Sequence, residues 1–253
     1  MLPRWASSQT FTNTAVIMRQ VPPARQKLFG APFEKVFCHQ PHGVTFESMK
    51  RFVMVMVLLL LVGAAVLKLV VFELPRVAGN DMAPTLQPGD LLLANRLDTT
   101  PERGELVLLE HPRISGRLLL RRVVGLPGER VEVRKEVPVV DGKPALRREV
   151  QQVTLRDGDR RLTMKLVEET VARAPTCPVL KDPGRRSRDP AAVTLGSSQY
   201  YVLADNRNHG TDSRTFGPVP GERIRAVVTR RISAGPGSID GQSERAGWTR
   251  LSK

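Results

Sequence analysis

Hydrophobic positions along this chain fall into one long run followed by many short, interrupted ones. The long run, FVMVMVLLLLVGAAVLKLVVF from Phe52 to Phe72, holds no charge until Lys68. It approaches the roughly 20 residues needed to cross a hydrocarbon core, and Lys68 lies close enough to its end to snorkel to the interface. The rivals are a buried core helix and a cleavable signal peptide. The run is long for the apolar part of a signal peptide, and no good small-x-small site follows it closely. An uncleaved transmembrane anchor over residues 49–74 is therefore expected. Lys50 and Arg51 before it place the N-terminal side in the cytoplasm and everything after residue 74 outside.

Past the anchor the pattern changes. DLLLANRL, GELVLLEH, GRLLLRRVVGL, ERVEVR, VPVVDG, RRLTMKLVEE, QYYVLAD and RIRAVVTRRI are short apolar runs bounded by Gly, Pro, Asp or Asn, and each predicts a strand. No stretch keeps a helical period. The fold class expected is mainly β: one extracytoplasmic β-rich domain over residues 75–233 behind a single transmembrane helix. Within it, residues 133–195 read as variable and partly loop-rich, and TCPVLKDPGRRSRDP (176–190) reads as a basic surface loop. Residues 234–253, rich in Gly, Ser and Arg, read as a mobile tail. Residues 1–48 have no periodic apolar pattern and read as a cytoplasmic N-terminal extension. MKRFVMVMVLLLL reads like a natural membrane-protein start, so Met49 is expected to be the true one.

Charge changes this picture little. Lys and Arg number 39 against 25 Asp and Glu, a net +14, with seven basic and two acidic residues among the first 51. Such a surface suits anionic lipid headgroups or nucleic acid. The anchor and the lack of a helix-turn-helix pattern count against nucleic acid, so membrane lipids are the expected partner. Cys38 and Cys177 lie on opposite sides of the apolar run and read as two unpaired thiols. No metal or other cofactor is expected.

Four motifs carry the chemistry. DMAPTLQPGD, RGELVLLEHP, LLLRRVVGLPGERVEV and YYVLADNRNHGTDSRTFGPVP follow the anchor in that order. Together they resemble the boxes of the membrane-anchored type I signal peptidases. The resemblance implies a β-rich fold, a serine–lysine dyad, and signal peptides or preproteins as substrates. Burial in such a dyad leaves the lysine neutral, so that it can take the serine proton.

Measured against that resemblance, this chain departs at the reacting positions. Asp81 stands in the nucleophile position, Arg121 in the general-base position, and Gly210 where the base-orienting hydroxyl is expected. Ala204 replaces the glycine before Asp205. Met82 and Pro84 remain and are expected to bind substrate. Asp205, Asn206, Arg207, Asp212, Ser213 and Arg214 remain as structural support, Asp212 and Arg214 as a local salt bridge. Arginine stays protonated and cannot replace a basic lysine. An aspartyl-type mechanism needs a second carboxylate beside Asp81, and none is visibly placed there.

The reading is a catalytically inactive homologue that binds or regulates signal-peptide processing, with an active signal peptidase or the export machinery as a further partner. Asp81 and Arg121 are expected to lie within about 4 Å as an ion pair. The alternatives are an active peptidase using another hydroxyl (Thr85, Ser197, Ser198 or Ser213) and a DNA-binding regulator of related β fold.

Overall fold

A computed structural model of the chain describes residues 46–186, 189–241 and 249–251. The N-terminal extension expected before Met49 falls almost wholly outside these residues, while Met49 itself lies within the helix that opens them. Helix α1 (Phe46–Val71) covers the long apolar run. Its stretch Phe46–Lys68 has a mean hydropathy of 2.3, and none of that apolar surface is buried. A helix pairs every backbone group within its own segment, which suits a run that meets lipid on all sides. By length and composition it is a candidate membrane span.

The rest of the described chain is β. β1 (Phe72–Glu73), β2 (Leu91–Asn95), β3 (Leu106–Glu110) and β4 (Leu118–Gly125) precede β5 (Arg130–Arg134), β6 (Val137–Val140) and β7 (Lys143–Pro144). β8 (Leu146–Asp157) and β9 (Arg160–Thr170) form a long hairpin, followed by β10 (Cys177–Lys181), β11 (Val193–Thr194) and β12 (Gln199–Leu203). After the one-turn helix α2 (Ser213–Phe216) come β13 (Val219–Pro220), β14 (Ile224–Ser233) and β15 (Thr249–Arg250). Each of the eight short apolar runs contains a strand.

The main antiparallel sheet has the order β1-β2-β14-β3-β4-β12-β13, with β15 also on β14. Both of its faces are covered, which explains the unbroken LVLL of β3. Leu106 and Leu108 pack with Val77, Met82 and Ala204, while Val107 and Leu109 pack with Leu119, Val123 and Val202. Alternate residues point to opposite faces, so a strand covered on both sides is apolar throughout. Register shifts within β14 add local twist to the sheet.

Three sequence expectations are corrected. The polar stretch LRREVQQVTLRD is not loop-rich but strand β8, paired with β9 along its length. Its faces are largely solvated, so no apolar alternation marks it. Cross-strand ion pairs support it instead, Arg148 with Glu168 and Lys165 with Glu149. Within the expected loop 176–190, Cys177–Lys181 is β10, with Val179 and Leu180 fully buried.

Of the tail expected to be mobile, the described residues 234–241 and 249–251 pack onto the domain. Ile239 is buried with Leu155, Met164 and Leu180. Gly235 lies so close to the chain that a Cβ there would come within 2.2 Å of the Pro88 carbonyl oxygen. Its glycine reflects close approach, not looseness. Thr249 and Arg250 extend the sheet as β15.

Candidate functional site

Three segments meet at the site: the loop 76–90, strand β4, and the turn 204–214 between β12 and α2. The loop is held from both sides. Asn206 donates its backbone N–H to the Asp81 carbonyl (3.0 Å) and its side-chain amide to the Asn80 carbonyl (3.2 Å). From the other side, buried Asp90 accepts from Gln87 N (3.1 Å) and Gly235 N (2.8 Å). The tail that sequence reading set aside therefore clamps the loop that carries Asp81.

Asp81 and Arg121 form the expected ion pair. Arg121 Nη2 donates to Asp81 Oδ2 at 2.7 Å and Nε donates to the Thr211 carbonyl at 2.7 Å, while Nη1 donates to the carbonyl of Leu120. The two partners differ in exposure: the Arg121 side chain is 2% accessible and that of Asp81 is 40%. The guanidinium is thus desolvated, fully engaged and donor-only, while the carboxylate faces outward. Arg121, donor-only and always protonated, offers no base to a neighbouring hydroxyl.

The adjacent Arg122 does different work. Its guanidinium forks onto Asp205, Nε to Oδ1 at 2.8 Å and Nη2 to Oδ2 at 2.5 Å, and Nη1 reaches the Gly104 carbonyl at 2.7 Å. Thr85 Oγ1 donates to the same carboxylate at 2.5 Å. Burial opposes the charge on Arg122, but the field and hydrogen bonds of Asp205 outweigh it and raise the guanidinium pKa. Asp205 is consequently fully occupied away from Asp81.

The turn 204–214 braces both arginines. Asp212 caps α2 by accepting from Arg214 N (3.1 Å), accepts from Ala204 N (2.9 Å), and pairs with the Arg214 guanidinium at 2.6 and 2.8 Å. Ser213 Oγ accepts from Val202 N at 3.0 Å. Arg207 is buried against Glu169, which also pairs with Arg147 at 2.5 Å.

Glu169 was missed in the sequence, although its place two residues after buried Val167 on β9 marks an inward position. No sequence signal pointed to the Thr211 carbonyl.

Gly210 and Ala204 fill one space between them. A Cβ built on Gly210 would lie 2.1 Å from the Ala204 Cβ, and Ala204 is fully buried. No side chain fits at position 210 while Ala204 is present.

Beside Asp81 runs a groove of about 440 Å³ between Pro75–Met82 and Arg117–Arg121. Met82 lines it. Pro84 is buried and is not among the lining residues. β12 pairs with β4 only at Arg122 and beyond, while β3 pairs with the opposite edge from Leu118 onward. The outer backbone edge of Leu118–Leu120 therefore faces the groove unpaired by any strand, its Leu120 carbonyl also accepting from Arg121 Nη1.

The family model for signal peptidase, peptidase S26, matches residues 48–232, and the chain belongs to that family. It is 33% identical over 173 residues to a signal peptidase I of Bacillus caldolyticus, covering 66% of this chain and 82% of that one. It is 29% identical over 157 residues to signal peptidase I V of Bacillus subtilis, covering 61% and 82%. A solved signal peptidase I from Enterococcus faecalis V583 aligns at 23% identity with a TM-score of 0.31, covering 51% of this chain and 97% of that one.

Proposed function

We propose that this chain is a membrane-anchored member of the signal peptidase family that binds extended peptide without cleaving it. The observation that carries the reading is the Asp81–Arg121 pair at 2.7 Å, with Arg121 also held by the Thr211 carbonyl. A permanently protonated guanidinium in the base position cannot take a proton, and loss of a serine-protease nucleophile costs on the order of 10⁶ in turnover. Peptide enters as an added strand along the open edge of Leu118–Leu120. The family implies signal peptides or preproteins as the ligands, and an active signal peptidase or the export machinery is the proposed partner. The helix Phe46–Val71 spans the membrane, with Lys50 and Arg51 on the cytoplasmic side and the β domain outside.

The alternative nucleophiles have little support. Thr85 Oγ1 is committed to Asp205 and Ser213 Oγ to Val202 N, while Ser197 and Ser198 are exposed on a turn and do not line the groove. Asp205 does not supply the second carboxylate of an aspartyl mechanism, since it is engaged by Arg122 and Thr85.

The test is a signal-peptide cleavage assay on the full chain in detergent. No turnover above background is expected, and turnover that survives Asp81→Ala would reject the reading. Protease added to spheroplasts should digest the β domain; its protection would reject the orientation.

A further inference from the structure

The groove beside Asp81 is positively charged in a way that its apolar lining does not require. Its lining includes three cations, Arg76, Arg117 and Arg121, and one acid, Asp81. Arg121 and Asp81 neutralise each other at 2.7 Å, which leaves two positive charges unbalanced. The Arg76 guanidinium donates to the Gly89 carbonyl at 3.2 Å, a contact that leaves its charge uncompensated. Arg117 is exposed directly before β4, where its carbonyl accepts from His111 N, and has no carboxylate partner among the described residues. A nearby imidazole registers the same field: burial together with Arg117, Arg121 and Arg113 holds the pKa of His111 below its ordinary value.

Position adds a ruler. Arg117 precedes Arg121 by four residues on one extended segment, about 13 Å at strand spacing. A strand added along this edge keeps step with it. The residue that reaches Arg117 therefore lies about four positions from the residue that faces Asp81.

We propose that the groove selects extended peptides bearing a carboxylate about four residues from the position opposite Asp81, received by Arg117 with help from Arg76. This rests on the strand-addition reading above and adds a ligand class to it. The carboxylate is that of an acidic side chain or of a free peptide C-terminus, since both present the same paired oxygens to a guanidinium. The arrangement favours a peptide over a lipid headgroup because the two arginines line a groove with an open strand edge, not a flat face.

The experiment is fluorescence anisotropy with the full chain in neutral detergent at low salt. The probes are small-residue decapeptides labelled with a rhodamine dye, carrying Asp, Asn or Lys at the chosen position. A second set ends there as a free acid or as an amide. Asp should bind about threefold more tightly than Asn for one exposed pair, and about tenfold if both arginines engage. The acid and amide set shows whether a C-terminus serves equally well.

The preference for Asp over Asn should shrink in Arg117→Gln and vanish in the Arg76→Gln, Arg117→Gln double variant. Equal binding of Asp and Asn peptides by wild type, or a preference that survives in the double variant, would overturn the proposal while leaving strand addition standing. Failure of every peptide to bind would reject both. Equal Asp and Asn binding, together with loss of binding to phosphatidylglycerol vesicles in the double variant, would assign the arginines to lipid instead.

Discussion

Ala204 and Gly210 occupy one space: a Cβ on Gly210 would sit 2.1 Å from the Ala204 Cβ, beside the Asp81 carbonyl at 3.5 Å. Restoring a hydroxyl at 210 without removing the methyl at 204 overpacks a closed site. Gly210→Ser alone should therefore destabilise the protein by about 1–3 kcal/mol. In an Ala204→Gly background it should cost at least about 1 kcal/mol less. Chemical denaturation of the four proteins checks this, and strict additivity would show that the two positions do not share space. Any attempt to restore cleavage should follow the same logic. Asp81→Ser, Arg121→Lys and Gly210→Ser need Ala204→Gly as a fourth change, and turnover should appear with four substitutions rather than three.

The Asp81–Arg121 pair is unequal, and its two halves should respond unequally. Arg121 is buried and also serves two carbonyls, so Arg121→Met should cost about 3 kcal/mol. Asp81 is substantially solvated, so Asp81→Asn should cost only about 1 kcal/mol after solvent screening. The double-mutant cycle should show a coupling of about 0.5 kcal/mol or more. Zero coupling would remove the ion pair from the account of the site.

His111 sets a pH dependence. Burial and the guanidinium groups of Arg117, Arg121 and Arg113 lower its pKa below 6.5, and Nδ1 accepts from Arg113 N at 3.0 Å, as a neutral ring does. The unfolded chain binds this proton at higher pH than the folded one. The contribution of neutral His111 is thus complete above pH 6.5 and is lost as pH falls through the folded-state value. The stability difference between wild type and His111→Gln should shrink, in urea melts, between about pH 7.5 and pH 5. A difference constant over that range would mean that the ring titrates alike in both states.

Ile239 tests the tail. It is buried with Leu155, Met164 and Leu180, and Arg156 N donates to the neighbouring Ser238 carbonyl at 2.7 Å. Ile239→Ala should cost about 2–4 kcal/mol. Loosening of this clamp should also raise hydrogen exchange at residues 80–90, because Gly235 and Ser238 bond directly to Asp90 and Gln87. A neutral substitution would return the tail to the mobile state read from its composition.

The sequence by itself determined the apolar helix, the eight strands carried by apolar runs, and the pairing of Asp81 with Arg121. Each of these rests on a local signal: unbroken hydrophobicity, strand-length runs between turn residues, and motif spacing around Asp81, Arg121 and Gly210. Tertiary structure decided what those signals do not encode. β8 forms because β9 lies beside it, and its own polar residues show no buried face. Residues 235–239 of the tail are held by Gly235 against Pro88 and Ile239 in a distant cluster, contacts between residues far apart in the chain. The sequence listed Ala204 and Gly210 as two separate departures. Only the fold makes them one, because van der Waals exclusion acts on distance in space and not on separation along the chain.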